Sequence, residues 1–299
     1  MKRLVSILII SAISLALAAP VFALSGLRLM TVESGARPVG MGGAFTSVIH
    51  DPYSFGYNPG AICGVQGLNG SFGHNTHWEN VGLETGYLAF TKKDVTFATG
   101  LKFGHVDDLQ GRNDSVPSSD YIPFDAQDVS LKMGVSYEFI DKLSLGFGLG
   151  YMFEKIETYR GSAFNFDLGL LYRARPNLNV GLAVLNIGST VEVRDESFDI
   201  PTTIRAGASY TYEKLLAAGD LVMFDDDTEE GLDMRGHLGG EYHITPEFSI
   251  RAGYRLGYES KSISAGFGFT KRNFRIDYAF LPYSNELDDS HLINLTFRQ

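Results

Sequence analysis

The 299-residue chain has a single cysteine, Cys63, so no internal disulfide can staple the fold. It lacks any excess of positive charge. Its 25 Lys and Arg against 35 Asp and Glu leave a net charge of −10, which argues against a nucleic-acid partner. After the first residues no apolar run reaches the length of a membrane-spanning helix, so any crossing of a membrane must be made by a closed barrel. Low-complexity linkers and repeats larger than a hairpin are also missing, which predicts one domain.

The one long apolar run stands at the start. Lys2 and Arg3 precede apolar residues from Leu4 to about Ala19, and Val21-Phe22-Ala23 offers apolar and small residues at a cleavage site. This is the layout of a secretory signal peptide, residues 1–23. The run is short for a spanning anchor, and Cys63 is too far from the cleavage site to carry a lipid.

What fills the rest is alternation. Leu143, Leu145, Phe147, Leu149, Tyr151 and Phe153 interleave with Ser144, Gly146, Gly148, Gly150, Met152 and Glu154, and residues 127–139 and 162–174 repeat the pattern. Period-two patterning puts one strand face in an apolar medium and the other in a polar one. Turn signals divide residues 65–299 into about fourteen such runs. Tight connections (Asp141-Lys142, Pro176-Asn177, Glu213-Lys214) alternate with mostly longer ones (105–126, 158–161, 189–201, 225–231, 285–290). An even strand number with short turns at one end and longer loops at the other predicts an all-β, transmembrane antiparallel β-barrel of the outer-membrane type, both termini on the periplasmic side. A soluble sandwich would alternate too. Three features oppose it: Lys102, Lys132, Asp167, Arg205, Arg251, Arg255, Arg275 and Asp277 all fall on polar faces, aromatics gather near strand ends, and the runs are long enough to cross a bilayer.

Residues 24–64 precede the first strand and read ARPVGMGGAFTSVIHDPYSFGYNPGAI over 36–62. A fourteen-strand lumen is too wide for wall side chains alone to fill, and backbone without sheet partners needs burial in protein or access to water. Gly40, Gly42 and Gly43 permit close backbone approach, and Asp51-Pro52 and Asn58-Pro59-Gly60 force turns. Phe45, Val48 and Ile49 suit one short helix. The segment is therefore expected to plug the lumen, with the Asn58-Pro59-Gly60 turn as its gate. A disordered leader would carry fewer aromatic and apolar residues.

The segment GARPVGMGGAFTSVIHDPYSFGYNPGAI resembles the N-terminal signature of the PorV/PorQ family and, more distantly, of FadL-type long-chain fatty-acid channels. EKIETYRGSAFNFDLGLLY (154–172), Leu185-Asn186-Ile187-Gly188, Arg275-Ile276-Asp277-Tyr278 and the terminal HLINLTFR extend the likeness over nearly the whole chain, with Gly60 where the signature has alanine. The resemblance implies a FadL-like fourteen-strand barrel. Its role would be as a partner in type IX-like protein secretion or outer-membrane assembly, or in the passage of hydrophobic molecules.

Chemistry-bearing motifs are weak. Gly146-x-Gly148-x-Gly150 lies inside a strand with no helix after it, which excludes a phosphate loop. His74 and His77 fall on opposite strand faces, so they share no metal. The acidic run 225–230 lacks spaced Ca²⁺ ligands and reads as a solvated loop. No nucleophile, base and orienting group share a suggestive spacing, so neither a catalytic site nor a cofactor is expected. The charged inward faces favour the secretion partner, with Tyr121, Ile122 and Phe124 of loop 105–126 as contacts. Passage of a long-chain fatty acid or another hydrophobic small molecule is the alternative. Membrane lipid and the barrel-assembly machinery are expected partners in either case, Phe297 on the last strand being the assembly signal.

Overall fold

The computed structural model describes residues 32–76, 81–111, 122–188, 190–193, 196–198, 200–224, 233–258, 260–284 and 288–299. Residues 1–23, where the sequence predicts a signal peptide, and His77, Tyr121 and the acidic run 225–230 lie outside them. Fourteen strands close one antiparallel barrel. Its first half is β1 (Leu68–Thr76), β2 (Gly82–Lys92), β3 (Val95–Gly111), β4 (Ile122–Ile140), β5 (Leu143–Ile156), β6 (Tyr159–Arg175) and β7 (Leu178–Gly188). A separate two-stranded hairpin follows, β8 (Val191–Val193) and β9 (Glu196–Phe198). The second half is β10 (Thr203–Tyr212), β11 (Leu215–Phe224), β12 (Asp233–His243), β13 (Phe248–Leu256), β14 (Ile263–Lys271), β15 (Phe274–Leu281) and β16 (Ser290–Arg298). β1 seals the barrel against β16, from Asn69 opposite Arg298 to Thr76 opposite His291.

The alternation places the faces. Leu145, Phe147, Leu149 and Tyr151 of β5 are exposed, while Ser144, Met152 and Glu154 are buried in the lumen. Around the wall Phe72, Met133, Phe164, Leu221, Ile276 and Ile293 continue an outward apolar belt. Tyr137, Phe139, Tyr210 and Tyr212 stand exposed near strand ends, where a bilayer interface holds aromatics. All eight charged residues assigned to polar faces lie on the lumenal side, and Asp167, Arg205, Arg251, Arg255, Arg275 and Asp277 are buried. Two-residue turns close one end, and Lys93, Lys142, Glu213 and Arg272 accept the positive φ that such hairpins require. The first and last barrel strands begin and end at that same end, where Gln299 N bonds to Leu68 O.

Four local expectations need correction. Strand pairing carries β3 and β4 through most of loop 105–126, with Leu109 opposite Phe124 and Gly111 opposite Ile122. Alternation ends before pairing does, because a hairpin that rises past the apolar layer no longer needs two unlike faces. The 158–161 connection shrinks to the Glu157-Thr158 turn, and loop 189–201 contains β8 and β9. No helix forms at Phe45, Val48 and Ile49; among the described residues the α-helix, α1, is Ala36–Gly40.

Candidate functional site in the plugged lumen

Residues 32–65 run a circuit inside the barrel. Helix α1 packs against β13–β16, the 3-10 turn Pro52–Gly56 against β1–β3, and the 3-10 turn Pro59–Gly64 against β3–β7. Between them, Gly43–Ser47 bonds to β10 and β11. Sequence chemistry sets these turns. Asp51 and Asn58 cap them, their side chains accepting from Tyr53 N at 3.0 Å and Gly60 N at 2.9 Å, and a proline follows each cap where an N–H would be unsatisfied. Asn58 is the keystone. Its Nδ2 also donates to Thr46 O at 2.8 Å and to Leu170 O of β6 at 2.9 Å.

A closed ring of six alternating charges fastens the plug to the wall. Arg37 bonds Glu241 of β12 through Nη2 (2.8 Å) and Nε (2.9 Å), and Glu241 accepts from Arg251 Nε of β13 at 2.5 Å. Arg251 Nη2 stands 2.9 Å from Asp277 Oδ1 of β15, an ion pair without hydrogen-bond alignment. Asp277 accepts from Arg275 Nε at 2.6 Å, Arg275 donates to Asp51 at 2.6 Å, and Asp51 returns to Arg37 at 3.1 Å. Side chains this buried are tolerable only when each charge meets its opposite. The two plug members cancel each other, and so do the four wall members.

A second anchor lies on β10 and β11. Asp220 Oδ2 accepts from Phe45 N, Thr46 N and Thr46 Oγ1 at 2.9, 3.0 and 2.6 Å, and Arg205 donates to Asp220, Thr46 Oγ1 and Gly43 O. Further up, Arg255 of β13 holds Glu33 at 2.8 Å.

Backbone fit explains the glycines. Gly42 has φ 66, and a Cβ there would stand 2.7 Å from Leu238 O and 2.9 Å from Tyr254 N. On the wall, a Cβ at Gly253 would strike Gly42, and one at Gly146 would strike Pro59 and Gly60. Gly43 (φ 77) faces Glu33 and His237 with no room for a side chain. A Cβ at Gly60 would lie 2.9 Å from Leu170 N, so the wall is too close for the alanine of the resembled signature. Gly40 differs: its nearest neighbour would be 3.5 Å away, ordinary contact.

Beside the plug lies a cavity of ≈ 60 Å³, between Tyr57 and Gly56 and the walls of β2–β5, β7 and β10. Tyr57, Tyr87, Met152 and Leu185 form its apolar part; Glu33, Lys102, Lys132 and Arg205 form the charged part. It has room for a few waters, well short of a typical ligand site. The cations there are engaged. Lys132 Nζ bonds both oxygens of Asp167 (2.7 and 2.9 Å) and Asn186 Oδ1 (2.6 Å), and Lys102 Nζ donates to Val32 O. Asn186 (φ 60) sits in a bulge where Leu185 and Asn186 oppose Asp167, which turns both Leu185 and Asn186 into buried positions. Sequence reading noted Leu185-Asn186 without a role; a bulge has no signature in alternation alone.

The remaining candidates scatter. Ile122 and Phe124 belong to β4 rather than to a free loop. Phe297 meets Phe274 at the turn end of the barrel, the ring centroids 5.4 Å apart and the planes tilted by 51°. His74 pairs with Glu84 on β2 at 2.6 Å. The ring missed by sequence reading joins residues up to 224 positions apart, which no local pattern announces.

No family model and no curated protein matches the sequence. Solved structures do match. The chain superposes on the CymD monoaromatic hydrocarbon channel with a TM-score of 0.66 at 13% identity, over 89% of this chain and 97% of that one. The TodX deltaS2S3 mutant monoaromatic hydrocarbon channel gives 0.65 at 13%, over 88% and 97%. A FadL homologue from Pseudomonas aeruginosa gives 0.61 at 12%, over 94% and 100%. This chain shares their fold. At such identity the likeness carries the fold alone, and it gives the PorV/PorQ resemblance no specific support.

Proposed function

We propose that the chain is an outer-membrane channel for small hydrophobic molecules, exported behind a signal peptide ending at Ala23 and closed in this state by its plug. The observation that carries this reading is the pairing of the lumenal charges. Taken one strand at a time, inward Arg, Lys, Asp and Glu argue against an apolar passage. In the folded barrel the ring residues and the Arg205–Asp220 pair are occupied by one another and by the plug. The charges seat the plug, so they do not count against a hydrophobic cargo. The cavity's apolar part and the fold shared with hydrocarbon channels support the same reading. Cells producing the protein should take up labelled toluene or labelled oleate faster than cells without it. No difference for either probe, or equal acceleration of a hydrophilic sugar, would refute the assignment.

One observation favours the secretion-partner reading as a second. β3 and β4 have 17 and 19 residues, whereas β10–β16 have 8–11. About 9–11 suffice to span a bilayer, so this hairpin rises above the rim and offers a protein-facing arm. Changing Phe124 to serine with Ile122 should then abolish recovery of a co-purifying protein while hydrophobic uptake is unchanged.

A further inference from the structure

We propose that residues 52–64 form a flap that opens the passage while residues 33–51 stay fixed to the wall; this rests on the channel reading above. The two parts of the plug are held by different chemistry. Charges fasten the first: Glu33 to Arg255, Arg37 to Glu241, Thr46 to Asp220 and Arg205, and Asp51 to Arg275. Among the described residues no ion pair joins the second part to the wall, and the Arg205 guanidinium stands over the Tyr57 ring, 5.0 Å from its centroid. Tyr53 Oη bonds Thr85 and Asn294, Asn58 Nδ2 bonds Leu170 O, and Ser136 Oγ reaches Gly60 O at 3.3 Å.

The backbone turns sharply at both ends of this part. His50 (φ 66) and Gly67 (φ 63) both sit in the left-handed region on either side of it. A hydrogen bond from the His50 ring to Gly64 O draws the two ends together, so 52–64 is a loop closed at its base that can swing as one piece beyond the fixed Asp51. The flap also faces the right place. Gly56 and Tyr57 floor the cavity, and Asn58–Gly60 lies against β5 and β6 just beneath. Moving this loop would extend the cavity past Asn58 toward the turn end of the barrel, whereas moving α1 would break the six-charge ring.

Hydrogen exchange of the full-length protein in detergent, read by mass spectrometry, tests the division. The amides of Tyr57, Asn58, Gly60 and Ala61 are bonded within the flap, those of Val39 and Met41 within the anchored part, and those of Phe45 and Thr46 to Asp220 of the wall. The flap amides should exchange at least about tenfold faster. Asn58→Ala should speed them by about another tenfold, leave the anchored amides within about twofold, and raise uptake of labelled toluene. Equal protection of both parts, or both accelerating together in Asn58→Ala, would show that the plug moves as one body and overturn the flap. The flap pattern without uptake of any hydrophobic probe would support the flap and overturn the channel reading.

Discussion

At the scale of the residue, the plug is seated by a few side chains that each do two things. Asp51 caps a turn through Oδ1 and joins Arg37 to Arg275 through Oδ2. Asp51→Asn keeps the shape and removes the charge between two buried guanidinium groups, which costs about 3–5 kcal/mol of seating. Faster proteolysis of residues 36–62 and higher conductance in planar bilayers are the expected readouts. Its pH behaviour follows. Burial alone would raise this carboxyl, yet Arg275 and Arg37 outweigh burial and hold it well below the ordinary carboxylate range. A folded value below the unfolded one means the contribution is present above the unfolded pKa and is lost only as pH falls through the depressed value. Conductance should therefore be the same at pH 7 and at about pH 4.5; a leak already open at the milder pH would show that the ring is not what closes the lumen. Gly42→Ala and Gly40→Ala separate close approach from composition. The first meets Leu238 O and Tyr254 N in a left-handed conformation and should unseat the plug, while the second has room and should leave thermal stability unchanged.

At the scale of the element, the wall keeps most of its charge pairing without the plug, although Arg255 loses Glu33. Glu241, Arg251, Asp277 and Arg275 remain a neutral chain when Arg37 and Asp51 leave, and Arg205 keeps Asp220. Deleting residues 24–62 should consequently yield a barrel that inserts, because no strand pair is lost, and that conducts more than the intact protein. Equal conductance would mean the segment does not close the lumen. The last strand carries a different prediction. Phe297 pairs with Gly70 and Phe274 and turns its ring onto Phe274. Phe297→Asp places a charge near the interface, where the cost is about 0–1 kcal/mol, so a fall in barrel yield in cells would report a role in assembly, and normal yield would exclude one. Strand positions were legible because period two survives in every run; the upper halves of β3 and β4 were not, since pairing continues there without alternation.

At the scale of the whole molecule, the apolar belt and the closed sheet make one prediction that does not depend on cargo. The protein should fractionate with the outer membrane and migrate anomalously on gels unless boiled, because a barrel without an edge unfolds only as a unit. Solubility without detergent after removal of residues 1–23 would refute it. The outward face also explains why a chain with net charge −10 tolerates so much exposed Phe, Leu and Ile. Lipid, not water, is the solvent of that surface.

By itself the sequence determined the barrel: the strand count, the end at which tight turns lie, which face of each strand meets lipid, and that residues 24–64 are not wall, the first strand beginning at Leu68. Each of these depends on neighbours in sequence, through alternation, turn chemistry and strand length. Only the tertiary structure decided what the lumenal charges are for. Arg37 and Asp51 meet Glu241 and Arg275 across 204 and 224 positions, and whether an inward arginine repels an apolar cargo or seats a plug depends on that partner. Closing fourteen strands into a ring creates the meeting, and no stretch of the chain encodes it locally.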